Sequence, residues 1–112
     1  MQEYKVILTW EAIYDVIGFA DYIEASFGKQ RADRFQRNIR AQMEKLGSIG
    51  KAFPTTQLMY RGYTIHKKPF PPSVIFYILI DAVHEVHVLR VLREENGWEN
   101  TLRQEQEYTY PD

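Results

Sequence analysis

Hydrophobic positions at the start of the chain alternate with polar ones and then change to a helical spacing. Residues 4–10 carry a large apolar side chain at every second position, which predicts a strand with one face on a core. Over residues 13–27 the apolar positions recur every three or four residues, which predicts an amphipathic helix. Thr9 is suited to cap the start of this helix, and Gly28 is expected to stop it at about Ser26.

A second helix follows the glycine at position 28. Its apolar residues lie on one face over residues 29–46, whereas its arginines lie elsewhere on the helix. The break between the two helices predicts a helical hairpin. Two glycines and a proline then mark a loop: Gly47, Gly50 and Pro54.

The rest of the chain is rich in β-branched and aromatic residues. Strands are predicted over residues 60–68, 74–80 and 85–92. Residues 69–72 are expected to form a loop because their three prolines cannot donate backbone hydrogen bonds, and residues 81–84 are short enough for a hairpin. The predicted fold is therefore α+β, with the order βααβββ and a two-helix hairpin packed on an antiparallel sheet.

The predicted strand over residues 74–80 is apolar on both faces. Such a strand is expected inside the sheet and covered on both sides, or flanked by a partner chain. The pattern fades near the C-terminus, although Trp98 and Leu102 could still dock on the core. We therefore divide the chain into a folded domain, residues 1–102, and a polar, acidic C-terminal tail, residues 103–112.

Composition places the chain among globular proteins and excludes several kinds of chemistry. Of its 112 residues, 45% are hydrophobic and 26% are charged. It has no cysteine, which excludes disulfides, thiolate metal sites and a thiol nucleophile. The N-terminus has no signal-peptide cleavage site, and no apolar stretch reaches the roughly 18 residues that a membrane span needs. A cytoplasmic location and no membrane partner are therefore expected.

Charge is distributed unevenly, although the net charge is only −1. Residues 1–93 contain 13 of the 14 lysines and arginines and 9 of the 15 acidic residues, a net charge of +4. Residues 94–112 contain one arginine and six acidic residues, a net charge of −5. A basic body with an acidic tail can bind an anionic partner, or the tail can cover the basic face of its own body.

The spacing of the three histidines does not indicate a metal site. His84 and His87 are three residues apart, so on a strand they point to opposite faces, and no cluster of carboxylates accompanies them. We therefore expect neither a metal nor another cofactor. The sequence also has no convincing catalytic carboxylate pair, glycine-rich phosphate loop or Ser/His/Asp set.

Basic side chains on and near the predicted strands are the main candidates for function. The set comprises His66, Lys67, Lys68, Arg61, Arg90 and Arg93. Converging cations can hold phosphates and stabilise the pentavalent transition state of RNA cleavage, with a histidine or tyrosine as proton donor or acceptor. The alternative is that these residues are solvated strand ends and that Arg90 pairs with a carboxylate such as Glu85 or Asp81.

Taken in order, many residues of the chain also match a known pattern. They are Thr9, Ala12, Asp15, Val16, Ile17, Tyr22, Ile23, Ala32, Phe35, Leu46, residues 74–77 and residues 88–92. Together they resemble the RelE/ParE toxin superfamily over about residues 4–102. The resemblance implies the toxin of a two-component toxin–antitoxin module, neutralised by an antitoxin whose disordered segment folds on the toxin. Some such toxins cut messenger RNA in the ribosomal A site, whereas others inhibit DNA gyrase.

For the RNA-cutting toxins, the resemblance implies basic catalytic residues on the second to fourth strands, and here the match is partial. Lys67 and Lys68 resemble the lysines of the second strand, but Val74 stands where an arginine of the third strand is expected. Glu94 and Glu95 occupy positions where further basic residues are usual. A carboxylate beside the scissile phosphate raises the barrier to cleavage by like-charge repulsion.

Three hypotheses follow. The first is a growth-inhibiting toxin that acts by binding an essential target, with DNA gyrase as the leading candidate. The second is a metal-independent endoribonuclease acting on ribosome-bound messenger RNA. Its catalytic residues would be Lys67, Lys68, Arg90 and His66, and its target or phosphate ligands Arg61 and Arg93. The third is an interaction module whose acidic tail covers its own basic face. Under either toxin hypothesis, the expected partner is a cognate antitoxin.

Overall fold

A helical hairpin lies on one face of a five-stranded sheet. The computed structural model describes residues 3–95, 97–104 and 107–111. Its elements, in chain order, are β1 (Lys5–Leu8), α1 (Trp10–Phe27), α2 (Lys29–Ile49), β2 (Thr55–Tyr60), β3 (Tyr63–Phe70), β4 (Ser73–Ile80), β5 (Glu85–Arg93) and α3 (Trp98–Gln104). The strands follow the spatial order β1-β5-β4-β3-β2; β1 is parallel to β5, and the other neighbours are antiparallel.

Both long helices form where the hydrophobic spacing predicts them. The Thr9 hydroxyl accepts a hydrogen bond from the Ala12 amide at 3.0 Å, as expected of an N-cap. Gly28 ends α1 with a φ of +99°, which residues with a Cβ rarely adopt, and α2 begins directly after it. The predicted α+β class and helical hairpin are confirmed.

The sheet has one strand more than the sequence predicts. The predicted strand over residues 60–68 corresponds to β3, which begins at Tyr63, and a further strand, β2, precedes it; a tight turn at Arg61 and Gly62 joins the two. Both turn residues have a positive φ, 53° and 85°, as the tightest hairpin turns require. The apolar alternation of β2 is weak, so the sequence pattern does not predict this strand. With α3 added, the order is βααββββα.

Pro69 and Phe70 belong to β3, so the prediction of a loop over residues 69–72 is wrong for these two residues. On the β2 side of β3, the Lys67 amide donates to the Pro54 carbonyl at 3.0 Å. The nitrogen of Pro69, two residues further on, faces the same side but lies beyond the first residue of β2. No neighbouring strand requires a donor there, so proline is tolerated.

The pairing of β1 also differs from the predicted antiparallel sheet. It runs parallel to β5, from Lys5 opposite Glu85 to Leu8 opposite Val88. A parallel pair needs a long crossover, and here the chain from α1 to β4 provides it. A one-sided alternation is the same in parallel and antiparallel strands, so the sequence pattern alone does not determine this direction.

β4 lies between two hydrophobic cores, which confirms the prediction that both of its faces are covered. Ile75 and Tyr77 face the helical hairpin and pack in one core with Ile39 of α2. Phe76 and Ile78 face the opposite side and belong to a second core. The sheet is therefore packed on both sides within one chain.

The second core is completed by the C-terminal part of the chain. Residues 107–111, here called the C-terminal strap, lie on the side of the sheet opposite the hairpin. Tyr108 is only 4% exposed, and its ring meets that of Tyr60 edge-on with 4.8 Å between the ring centroids. Trp98 and Leu102 of α3 dock on the same side, as the sequence predicts. Part of the polar tail therefore contributes to the core.

Candidate functional site

Arg90 is held by a carboxylate, but not by one that the sequence suggests. Its guanidinium contacts Asp15 of α1 through two hydrogen bonds: Nε donates to Oδ2 at 2.7 Å and Nη2 donates to Oδ1 at 2.9 Å. Both side chains are largely buried, with 17% and 14% of their surface exposed. Glu85 instead contacts His87. The arginine at the centre of the predicted catalytic set is therefore engaged within the protein.

The carboxylate of Asp15 also closes an open edge of the sheet. β1 ends at Leu8, so among the residues that the structure describes β5 has no strand neighbour on that side beyond Val88. The Val91 amide donates to Asp15 Oδ2 at 2.9 Å, where a longer β1 would have supplied an acceptor. Asp15 thus joins α1 to the backbone of β5 as well as to its arginine.

The three basic residues of β3 do not converge. Lys67 and Lys68 point to opposite faces of the sheet because neighbouring strand residues alternate. Lys67 Nζ lies 5.4 Å from the centre of the Trp98 ring, whereas Lys68 Nζ lies 4.6 Å from that of Phe53. His66 is on the same face as Lys68, with Nδ1 2.9 Å from the Phe53 carbonyl oxygen.

Only His66 and Lys68 share a face and a strand among the four predicted catalytic residues. Burial lowers the pKa of Lys68, and the nearby charge of Lys45 lowers it further. Arg90 is two strands away on β5, with β4 between. The four side chains therefore do not form one cluster.

Arg61 and Arg93, the predicted ligands of the target, occupy different surroundings. Arg61 lies in the β2–β3 turn and pairs with Glu107 of the strap at 2.7 Å. This contact joins the acidic tail to the basic body. Arg93 ends β5, and its guanidinium lies 5.3 Å from the Phe19 ring centre and 5.2 Å from that of Tyr22.

His87 has hydrogen-bond partners on both ring nitrogens. Nε2 is 2.8 Å from a Glu85 oxygen, and Nδ1 is 2.8 Å from the Tyr110 hydroxyl of the strap. Burial raises the pKa of Tyr110 to about 12. Within residues 3–95, 97–104 and 107–111, no group of three histidine, aspartate or glutamate side chains could hold a metal ion. In the same part of the chain, no helix is long and apolar enough to cross a membrane.

Two adjoining cavities meet at Arg93. The first, the β5 trough, has a volume of about 370 Å³ and lies between α1 and α3 along the open edge of β5. Its lining comprises Tyr14, Asp15, Gly18, Phe19, Tyr22, Val91, Leu92, Arg93, Trp98 and Thr101. The second, the arginine groove, has a volume of about 560 Å³. Its lining comprises Phe19, Tyr22, Ile23, Phe27, Arg31, Arg34, Phe35, Asn38, Phe70, Pro71, Pro72 and Arg93.

The hydrophobic pattern of the sequence does not identify these two cavities. One signal was available, because α1 carries more large apolar residues than its core-facing side can bury. Tyr22 and Phe27 are 53% and 56% exposed, and Tyr14 is also exposed. Several exposed aromatic side chains on one helix indicate a binding surface more often than single ones do. The contribution of Phe70 could not be found this way, because it comes from a distant strand.

The fold, together with the match of a family model, defines the class of protein: a member of the RelE/ParE toxin superfamily. The model of one family, the ParE toxin of the type II toxin–antitoxin system parDE, matches residues 6–98, and the chain belongs to this family. A solved structure, the chromosomal ParDE TA system from P. aeruginosa, is similar with a TM-score of 0.69 and 17% identity. The match covers 83% of this chain and 98% of that one, and at this identity it shows the fold alone. No curated protein sequence matches the chain significantly.

Proposed function

We propose that this toxin arrests growth by binding an essential target, with DNA gyrase as the first candidate, and that a cognate antitoxin neutralises it. The observation that supports binding over cleavage is the largely buried contact between Asp15 and Arg90. Asp15 binds the Nε and Nη2 side of the guanidinium, so a phosphate that binds Arg90 must either displace Asp15 from the guanidinium and the Val91 amide or lie beside its carboxylate. In both cases a carboxylate lies close to an anionic ligand, at a high electrostatic cost.

The placement of the other basic residues supports the same conclusion. General acid–base cleavage needs its groups within hydrogen-bond reach of one reacting site. Lys67 lies on the strap side of the sheet, whereas Lys68 and His66 lie on the hairpin side. A toxin that acts by binding has no such requirement, because its cations can contact separate parts of a target.

A second candidate function, the ribosome-dependent endoribonuclease, is favoured by one observation. Lys68 has a lowered pKa and shares a face of β3 with His66. A lysine whose pKa is lowered toward neutrality transfers protons more readily than an ordinary lysine. Under this proposal, Lys68→Ala abolishes RNA cleavage without unfolding the protein.

Two measurements, one on purified protein and one in cells, separate the candidates. Purified protein is titrated against DNA gyrase in a supercoiling assay, and messenger RNA integrity is measured in cells after induction. We expect supercoiling to fall with added protein, transcripts to stay intact, and Lys68→Ala to arrest growth like the unaltered chain. Unaffected supercoiling at saturating protein excludes gyrase as the target. Cleaved transcripts that become intact with Lys68→Ala support the endoribonuclease instead.

A further inference from the structure

A third cavity lies between the C-terminal strap and the sheet, and the proposed function does not use it. This cavity, here called the strap cavity, has a volume of about 470 Å³. Small-ligand sites in proteins commonly have volumes of roughly 300–1,000 Å³. The strap lines one side of the cavity, and residues of β2 to β5 and of the β2–β3 turn line the rest. The strap cavity is therefore large enough for a small molecule.

Most of the wall of the strap cavity is aromatic or aliphatic. Six of the nine lining residues are of this kind: Tyr60, Tyr63, Ile78, Ile80, Tyr108 and Tyr110. Aromatic side chains pack well against further rings, either edge-on, as Tyr60 and Tyr108 do, or stacked with an offset. A flat, apolar ring is therefore the ligand group that this wall suits.

The uncharged polar groups of the lining already have partners within the chain. His87 contacts Glu85 and Tyr110 through its two ring nitrogens, each at 2.8 Å. The Tyr60 hydroxyl accepts a hydrogen bond from the Tyr108 amide at 3.0 Å. The charge of a ligand is therefore determined by the remaining two residues of the lining, Arg61 and Glu107.

Arg61 can bind an anion at the cavity, and Glu107 shows which kind. The Arg61 Nη2 donates to the Glu107 Oε1 at 2.7 Å, but the two side chains are 61% and 70% exposed. An ion pair this exposed is weakly held, because water screens its charges. The Arg61 guanidinium also lies 5.5 Å from the centre of the Tyr60 ring. A ligand carboxylate that replaces Glu107 would therefore lie beside the aromatic wall.

We propose that the strap cavity binds a small aromatic carboxylic acid. The ring of this ligand packs among the four tyrosines, and its carboxylate binds Arg61 in place of Glu107. Glu107 can turn away into solvent because it is largely exposed, unlike the buried Asp15 beside Arg90. Such binding needs neither the target nor the antitoxin, so the site is independent of the proposed function.

Three small probes test this proposal in NMR titrations of the full chain at neutral pH. Phenylacetate has both a ring and a carboxylate, and we expect it to shift the signals of Arg61, Tyr63 and Ile78. Phenylacetamide keeps the ring without the charge, and acetate keeps the charge without the ring. Each of these two should bind at least roughly tenfold more weakly than phenylacetate. Equal affinity of phenylacetate and either control, or no shift at these three residues, would overturn the proposal.

Removing the carboxylate of the strap should increase the affinity for the probe. Glu107→Gln removes the group that competes for Arg61, so phenylacetate should bind roughly threefold more tightly. A loss of structure does not produce such a gain. The matched control, Glu99→Gln, removes the same charge from an exposed position of α3 outside the strap cavity. Its dissociation constant should stay within about 1.5-fold, since separated exposed charges are screened.

Removing the guanidinium should have the opposite effect. Arg61→Gln should weaken phenylacetate binding roughly tenfold, to the level of phenylacetamide, because the charge-assisted hydrogen bonds are lost. Arg103→Gln, an exposed change on α3 outside the strap cavity, is its control and should bind like the unaltered chain. If Glu107→Gln and Arg61→Gln both bind phenylacetate like the unaltered chain, the carboxylate does not lie at Arg61 and the proposal is wrong.

Discussion

The sequence suggests that Arg90 pairs with a carboxylate, and it does, but not with either of the carboxylates that lie near it along the chain. The sequence suggested that Arg90 pairs with Glu85 or Asp81, both close to it along the chain. Glu85 instead contacts His87, and Asp81 contacts Lys51. The partner, Asp15, is brought to β5 by the packing of α1. The pairing of β4 with β5 also shifts its register between Phe76 and Tyr77, and the sequence pattern does not reveal this shift.

Removing the Asp15 carboxylate should destabilise the fold more than its position on a surface helix suggests. Asp15→Ala leaves a largely buried guanidinium and the Val91 amide without their acceptor, so we expect a loss of about 2–4 kcal/mol in the free energy of unfolding. Asp15→Asn keeps an acceptor and should lose about half as much. Urea denaturation measures both variants. Asp21→Ala, an exposed change on the same helix, serves as the control, and an equal loss for Asp15→Ala and Asp21→Ala would contradict the prediction.

The C-terminal strap, which lies on the sheet face opposite the hairpin, is joined by hydrogen bonds to the first turn of α1. The Trp10 amide, which lacks a partner inside its own helix, donates to the Thr109 carbonyl at 2.8 Å. The Glu11 carboxylate accepts hydrogen bonds from the amide and the hydroxyl of Thr109, both at 2.9 Å. The strap was predicted only as a polar tail. Tyr108 and Tyr110 alternate with polar residues, but five residues are too few to indicate a docked segment by themselves.

Acidification should release the strap from α1 through Glu11. Burial would raise the pKa of Glu11, but the hydrogen bonds from Thr109 and from its own backbone amide, together with the charge of Arg90, hold the pKa below its usual value of 4.5. Because the folded pKa is lowered, this carboxylate stabilises docking fully above pH 4.5 and loses that contribution as the pH falls through its folded pKa. The amide signal of Thr109 in an NMR titration reports the change.

Two variants separate Glu11 from the other carboxylates in this titration. Glu11→Gln keeps one acceptor but removes the charge, so the acid-dependent change in the Thr109 signal should disappear. Glu24→Gln lies on the same helix, away from the strap contacts with Thr109, and should titrate like the unaltered chain. An unchanged acid transition in Glu11→Gln would show that another group controls strap docking.

At the scale of the whole molecule, the elements that depend on residues close together in sequence can be predicted from the sequence. The helical hairpin and the three strands over residues 60–68, 74–80 and 85–92 follow from local spacing, although the first of these begins only at Tyr63. The parallel pairing of β1, the closure of the β5 edge and the arginine groove all join residues from distant elements. The spacing of hydrophobic residues indicates which face of a helix or strand is buried, but not which other element covers that face. The arginine groove therefore cannot be predicted from local sequence patterns.

Because β4 belongs to both hydrophobic cores, we expect the two cores to unfold together. Ile75 and Tyr77 face the hairpin, while Phe76 faces α3 and the strap, so loss of either core removes support from the same strand. Tyr108→Ala should lower the free energy of unfolding by about 3 kcal/mol, and Tyr108→Phe should retain most of the stability because it keeps the ring.

The two tryptophans report the two sides of the molecule separately. Trp98 packs on Phe76, with 4.9 Å between ring centroids, whereas Trp10 begins α1 and stacks on Tyr14. Replacing one or the other by phenylalanine leaves a single fluorescent probe in each protein. With a shared central strand, both probes should unfold at the same urea concentration, and Tyr108→Ala should shift both by the same amount. If Tyr108→Ala moves only the Trp98 transition, the strap side unfolds on its own and the two cores are not coupled through β4.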